Sequence, residues 1–309
     1  MKNSRQITEG AILTAIYIVL LFITIYVPLL GSISMFAIPV PFVIYAYRHG
    51  WKPSLMMGIL AVILTILVSI VSIPLTILSG LGGIIIGSAM NQKLTPYETW
   101  ARGTLGFVVG IIFTLLISQW LLQVNFVDEL NQMMDLYIET TESMIEQFNM
   151  QVTEADLELI QQLTSFMIDL LPTMIVLMGI IMAFIAQWIS YKIVNRINKT
   201  DFRFPKFRDF KLPTALIWIY LFAMIVSFFQ QDPSGVWYVA TVNVLNLAGI
   251  LIVLQGISFV LYYSYVKKLP KAVTVIVIIA LLLIPHIGLY LLRILGIIDL
   301  GFSIRGLIK

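Results

Sequence analysis

Between Trp237 and Tyr265 the chain reads WYVATVNVLNLAGILIVLQGISFVLYYSY, without one Asp, Glu, Lys or Arg. A hydrocarbon layer of about 30 Å takes roughly 20 apolar residues in helical form. This stretch meets that length, so the solvent around it is lipid and other helices rather than water. Further apolar segments run at 8–30, 33–47, 54–72, 74–90, 103–123, 171–191, 212–230 and 272–293. The fold class is therefore all-α: a polytopic transmembrane helical bundle of eight or nine spans. Composition agrees, with 60% hydrophobic and 11% charged residues and a mean hydropathy of +0.97, where a soluble chain is about a quarter charged.

Charge gives the bundle its sides. Lysines and arginines favour the cytoplasmic loops of membrane proteins. With the N-terminus placed in the cytoplasm, all of the 19 basic residues except Arg293, Arg305 and Lys309 fall on the inner side. The loops at 48–52 and 93–102 are both basic, so the chain between them crosses an even number of times. Two short helices hinged near Pro74 satisfy that count. Lys2 and Arg5 precede an apolar run that continues to Pro28 without a small-residue cleavage site, which reads as a retained first span. For Arg293, Arg305 and Lys309 two readings stand: an external tail, or a re-entrant last segment broken at Pro285.

No basic residue lies between Arg102 and Lys192, whereas Asp128, Glu129, Asp135, Glu139 and Glu154 are among the acidic residues there. Leu130, Met133, Met134, Tyr137, Thr141, Met144, Ile145 and Phe148 recur at three- and four-residue steps, as do Leu157, Ile160, Leu163, Met167 and Leu170. Thr153 followed by Asp156 resembles a capping box at the start of the second half. The expectation is an extracytoplasmic amphipathic helical hairpin over 124–170. It separates an N-terminal membrane bundle, 1–123, from a C-terminal one, 171–309, whose basic cytoplasmic loop spans 192–211.

The polar inventory excludes several chemistries. The absence of cysteine removes disulfides, thiol nucleophiles and thiolate metal sites. Neither HExxH nor GxSxG occurs, and no span contains two acidic residues, so no catalytic residue, metal site, cofactor or enzymatic activity is expected. The basic residues cluster beside spans, which indicates no nucleic-acid partner. Pro39 and Pro41 fall inside the second apolar segment, where irregular backbone at membrane depth tends to line a cavity. Asn243 and Asn246 share a helix face and fit either a ligand cavity or interhelical bonding. His286, Tyr290 and Arg293 share another. Pro39, Pro41, Asn243, Asn246 and His286 are accordingly the candidate ligand-binding residues. Gly83 and Gly87, four apart, form a packing surface.

Thr8-Glu9-Gly10-Ala11, then Tyr26-Val27-Pro28-Leu29-Leu30-Gly31, Pro39-Val40-Pro41-Phe42, Tyr47-Arg48-His49-Gly50 and the closing Asp299-Leu300-Gly301-Phe302 with Arg305 resemble the YybS-like family of Gram-positive bacteria. Members are polytopic membrane proteins of unassigned function. That family is distantly similar to the substrate-binding S components of energy-coupling-factor vitamin transporters, whose first helix docks the coupling subunit through an Ala-x-x-x-Ala surface. Ala11 and Ala15 match this spacing and are the candidate partner-docking residues. This chain has about three more spans than the usual six of an S component. The resemblance implies a transport-type or substrate-binding subunit in the bacterial cytoplasmic membrane, partnered by lipid and by a coupling or ATPase subunit. Genes of the family often neighbour one for a membrane-anchored cyclic-dinucleotide phosphodiesterase. This leaves open a non-transporting regulator or scaffold partnered by such a membrane-bound signalling protein.

Overall fold

In the computed structural model residues 2–147, 159, 162, 165–229 and 235–308 are described, and every regular element among them is a helix. The chain divides into two compact units, Met1–Ile168 with Met174–Phe204, and Asp169–Thr173 with Pro205–Lys309. Six of the described helices are long and apolar enough to cross a membrane. They are α1 (Lys2–Tyr26), α4 (Trp51–Val68), α5 (Ile73–Asn91), α6 (Pro96–Leu122), α8 (Leu171–Asn198) and α10 (Val236–Val266). Shorter helices lie between them: α2 (Pro28–Ser34), α3 (Val40–His49), α7 (Phe126–Gln147, long but amphipathic), α9 (Ala215–Ser227), α11 (Lys271–Leu283) and α12 (Pro285–Phe302).

Prolines account for where the expected spans divide. The segment 33–47 is not one helix: α2 ends at Ser34, turns follow, and α3 begins at Val40. Proline has no N–H and its ring collides with the preceding turn, so a helix cannot run through it undistorted. It is tolerated in the first turn, where the N–H has no partner anyway. Pro39 is the residue capping α3 and Pro41 lies in its first turn, so these prolines start a helix instead of breaking one. The same logic divides 272–293 at Pro285, the first residue of α12. Pro74 opens α5, which at 19 residues is a full-length helix.

In the first unit α3 and α5 run side by side at backbone contact. A Cβ on Gly83 would sit 2.6 Å from the Pro39 carbonyl oxygen, and one on Gly87 2.3 Å from that of Val43. This is the packing surface that the Gly83–Gly87 spacing predicts. α6 lies antiparallel on α5: Gly103 faces Ile86, Gly106 faces Ile85, and Gly110 faces Leu78. α8 in turn lies antiparallel on α6, through Gly179 against Val108 and a hydrogen bond from Trp100 Nε1 to Ile180 O. Basic ends gather: Arg48 Nη2 donates to Asn198 Oδ1 at 3.0 Å, and Arg102 Nη1 to Gln92 Oε1 at 3.0 Å. The pairing of the 48–52, 93–102 and 192–198 stretches at one end is the arrangement their shared charge predicts.

α7 is amphipathic, with half-buried Leu130, Met134, Ile138 and Thr141 on one face and exposed Met133, Leu136, Tyr137 and Met144 elsewhere. The expected cap at Thr153–Asp156 and most of the returning half of the hairpin lie outside the described residues.

Candidate functional site

The second unit is built on α10. Against it lies α12, running in the same direction: Gly249 faces Arg293, Ile252 faces Gly296, Gln255 faces Asp299 and Ser258 faces Arg305. Glycine brings the two backbones together. A Cβ on Gly256 would lie 2.0 Å from Leu292 O, and one on Gly296 2.1 Å from Ile252 O. α11 precedes α12 as the other arm of a tight hairpin, whose break is the non-helical Ile284 (φ −112°, ψ 73°). The backbone polar groups at the break are recovered locally, since Ile284 O accepts from Gly288 N at 2.7 Å and from Ile287 N at 3.2 Å. Gly288 is required here, because a Cβ would collide with Leu281 O. The break expected at Pro285 is present, with Ile284 non-helical and Pro285 opening α12.

The hairpin returns the chain to the end of the second unit that carries residues 205–212. Ser303, in the left-handed region at φ 48°, turns the chain back after α12. Arg305 then reaches Asp299, whose side chain is 0% exposed. Arg305 Nε bonds both carboxylate oxygens at 3.0 and 2.9 Å, and Nη2 bonds Oδ2 at 2.6 Å. Its remaining donors go to Arg208 O at 2.7 Å and to Ser258 Oγ at 3.2 Å. Gln255 Nε2 donates to the same carboxylate, and Gln255 Oε1 accepts from Leu212 N. Ser258 Oγ serves the carbonyls of Phe207 and Phe210. Both charges are thus desolvated and fully bonded, the condition under which a buried pair is tolerated.

Arg293 is placed differently. It projects from the middle of α12 onto Gly249, near the midpoint of the 31-residue α10. A Cβ at Gly249 would lie 3.0 Å from Arg293 Nη2 and 3.1 Å from Cζ, so the guanidinium lies flat on a glycine floor. Its one hydrogen bond among the described residues runs from Nη1 to Tyr220 Oη of α9, at 3.2 Å. Among the described residues the buried Nε has no partner, and no carboxylate pairs with the group. α9 and α12 both lie against α10 and meet each other over a short stretch, where the Arg293–Tyr220 hydrogen bond links them. An arginine at the centre of a membrane helix costs about 2.5–3.5 kcal/mol on insertion scales, and such residues usually mark ligand, ion or proton sites.

The residues singled out from sequence distribute as follows. Asn243 is buried and fully committed: Oδ1 accepts from Thr173 N at 2.8 Å and Thr173 Oγ1 at 2.7 Å, while Nδ2 donates to the carbonyls of Asp169 and Val239. It pins the first turn of α8, which is the interhelical-bonding alternative of the sequence reading. Asn246 bonds its own helix at Val242 O. His286 lies in the first turn of α12, and its side chain lies outside the described residues. Pro39 and Pro41 belong to the first unit, Asn243, Asn246 and His286 to the second. Ala11 and Ala15 are both exposed on α1, and Ala11 borders a groove of about 570 Å³ with Gly10, Tyr45 and Met57.

Sequence reasoning put Arg293 on a face with His286 and Tyr290 and Asp299 in a motif, but made neither a candidate site residue, because it ended the last span at 293 and assigned what followed to a tail. The signal was present: Pro285 can open a helix, and the next 17 residues contain only these two charges. It also left Glu9 unpaired. In the structure two of the sequence signatures meet there, as Glu9 Oε2 lies 2.9 Å from His49 Nε2 and 3.5 Å from Arg48 Nη1, and Glu9 Oε1 lies 3.1 Å from Arg5 Nε.

Comparison with known proteins places these features in a lineage. No solved structure matches the chain. A relative from Bacillus subtilis (strain 168), described as "Uncharacterized protein YybS", is 30% identical over 311 residues and is covered along its full length, as is this chain. The model of a predicted membrane protein family, DUF2232, matches residues 15–300, a range that takes in the α10 to α12 site but not Arg305. The chain is therefore a multi-pass membrane protein belonging to the DUF2232, or YybS-like, family.

Proposed function

We propose that the chain is a small-molecule-binding subunit of a transport system in the bacterial cytoplasmic membrane. The observation that carries this reading is the broken hairpin α11–α12, packed through glycines onto α10, with Arg293 midway along α10 and holding one hydrogen-bond partner among the described residues. Transporters commonly bind substrate near the midplane, at discontinuous helices. Relocating the site to Arg293 and Tyr220 follows from Asn243 being spent on structure. The chain itself is not an enzyme in this reading, and it contains no nucleotide-binding motif, so energy would come from a separate ATPase subunit. The exposed Ala11 and Ala15 suit such a subunit as docking residues, by analogy with S components. Basic residues gathered at one end favour a cytoplasmic N-terminus.

Purification of the tagged protein from its native membrane in mild detergent, with mass spectrometry of what accompanies it, tests the reading. A stoichiometric small molecule, or a coupling subunit with ATPases, is the expected result. An empty bundle accompanied by a signalling protein would replace it with the second reading, a membrane regulator or scaffold. That alternative draws its support from α7, which exposes Met133, Leu136, Tyr137 and Met144 beyond any span.

A further inference from the structure

We infer that the ligand of the second unit is an anion, bound through a carboxylate or phosphate group by the Arg293 guanidinium with Tyr220 Oη beside it. The inference rests on the proposed binding function and specifies its chemistry. Three observations carry it. First, the guanidinium has five N–H donors in a planar fork suited to two oxygens, yet only Nη1 has a partner among the described residues, and Nε is buried without one. Second, the fixed positive charge is matched by no described carboxylate: Asp299, on the same helix, is occupied by Arg305 and Gln255. Third, the floor under the guanidinium is Gly249, where any side chain would displace it.

Tyr220 accepts from Arg293 at 3.2 Å, and with no acceptor for its own O–H among the described residues it can donate to the same anion. The other strong candidates close on themselves. The Tyr17, Thr65 and Thr76 hydroxyls satisfy one another, and Glu9 is surrounded by Arg5, Arg48 and His49. An anionic lipid headgroup and a free anion offer the same oxygens, so the test separates them.

The full chain is reconstituted in nanodiscs of phosphatidylcholine, and its thermal unfolding midpoint is followed against inorganic phosphate and succinate at constant ionic strength. In a parallel arm, nanodiscs containing phosphatidylglycerol receive no added anion. The expected result is a saturable rise in midpoint with one of these probes, absent in Arg293→Gln and retained in Arg203→Gln. A rise with phosphate or succinate identifies a soluble anion, and a rise confined to phosphatidylglycerol identifies a lipid headgroup. Should Arg293→Gln fail to fold, Tyr220→Phe serves in its place, with binding of the same probe weakened about fivefold, the effect of one hydrogen bond. An equal rise in wild type and both variants, or no rise with any probe, overturns the inference. Native mass spectrometry of the same sample separates the two levels: a retained neutral molecule overturns the anion assignment and leaves the binding function standing, whereas an empty protein removes both.

Discussion

Arg305 and Arg293 belong to the same C-terminal hairpin region and face the same helix, α10, yet their surroundings are opposite. Arg305 spends its donors on Asp299, Ser258 and the Arg208 carbonyl, and even its own carbonyl accepts from Tyr262 Oη. Among the described residues Arg293 has one neutral partner and a buried N–H with none. A closed network of this kind stabilises one conformation, because every alternative leaves a buried charge unpaired. An open one costs free energy until something arrives to complete it. Polar groups in a bundle with few charges are sorted by what remains unbonded, rather than by depth or residue type.

The largest effect is expected at Arg305. Arg305→Ala leaves Asp299 charged and buried, and should lower stability by about 3–5 kcal/mol, read as a fall in the thermal midpoint in detergent. If the closed network is the cause, adding Asp299→Leu to that variant should restore most of the loss. Next in size is the close packing that holds both arginines against α10. Gly256→Ala places a methyl within 2.0 Å of Leu292 O and should cost about 1–3 kcal/mol, with increased protease sensitivity of α11 and α12.

Asn243→Ala should cost a comparable 1–3 kcal/mol or so, because Thr173 N and the Asp169 carbonyl lose their buried partner. Asn246→Ala should change the midpoint little, within about 0.5 kcal/mol. That pair of variants separates the two asparagines that sequence alone treats alike. Arg293→Leu should have a small effect of opposite sign. Removing an uncompensated charge should leave stability equal or raised by about 1 kcal/mol, the reverse in sign of the Arg305 variant. A large destabilisation would mean that Arg293 has a structural role after all.

Most of the architecture is written in the chain at the level of hydropathy and charge. The 237–265 run is one helix, the glycines at 83 and 87 form a contact face, and the basic stretches at 48, 102 and 198 share an end. Where prolines occur, hydropathy misleads, since it measures transfer to lipid and is blind to a missing N–H. It therefore runs 33–47 as one segment across Pro39, where a helix starts at Val40, and 272–293 as one segment across Pro285, where α11 and α12 are separate. The site was harder to read. Asn243 and Asn246 have the same side chain and adjacent turns, and only the arrival of Thr173 distinguishes them. Arg293 was hidden by a boundary: a charge at the end of an apolar run looks like a loop residue until Gly249 is seen beneath it.

The bond from Arg305 to the Arg208 carbonyl joins residues separated by nearly a hundred positions, and this has a bearing on biosynthesis. When α10 enters the membrane, the carbonyls of Phe207, Arg208 and Phe210 already exist, but the guanidinium that completes their network has not been made. The second unit is therefore assembled late, after the ribosome has passed residue 305. A chain truncated between Asp299 and Arg305 would hold a buried carboxylate without its cation, at a cost of about 3–5 kcal/mol.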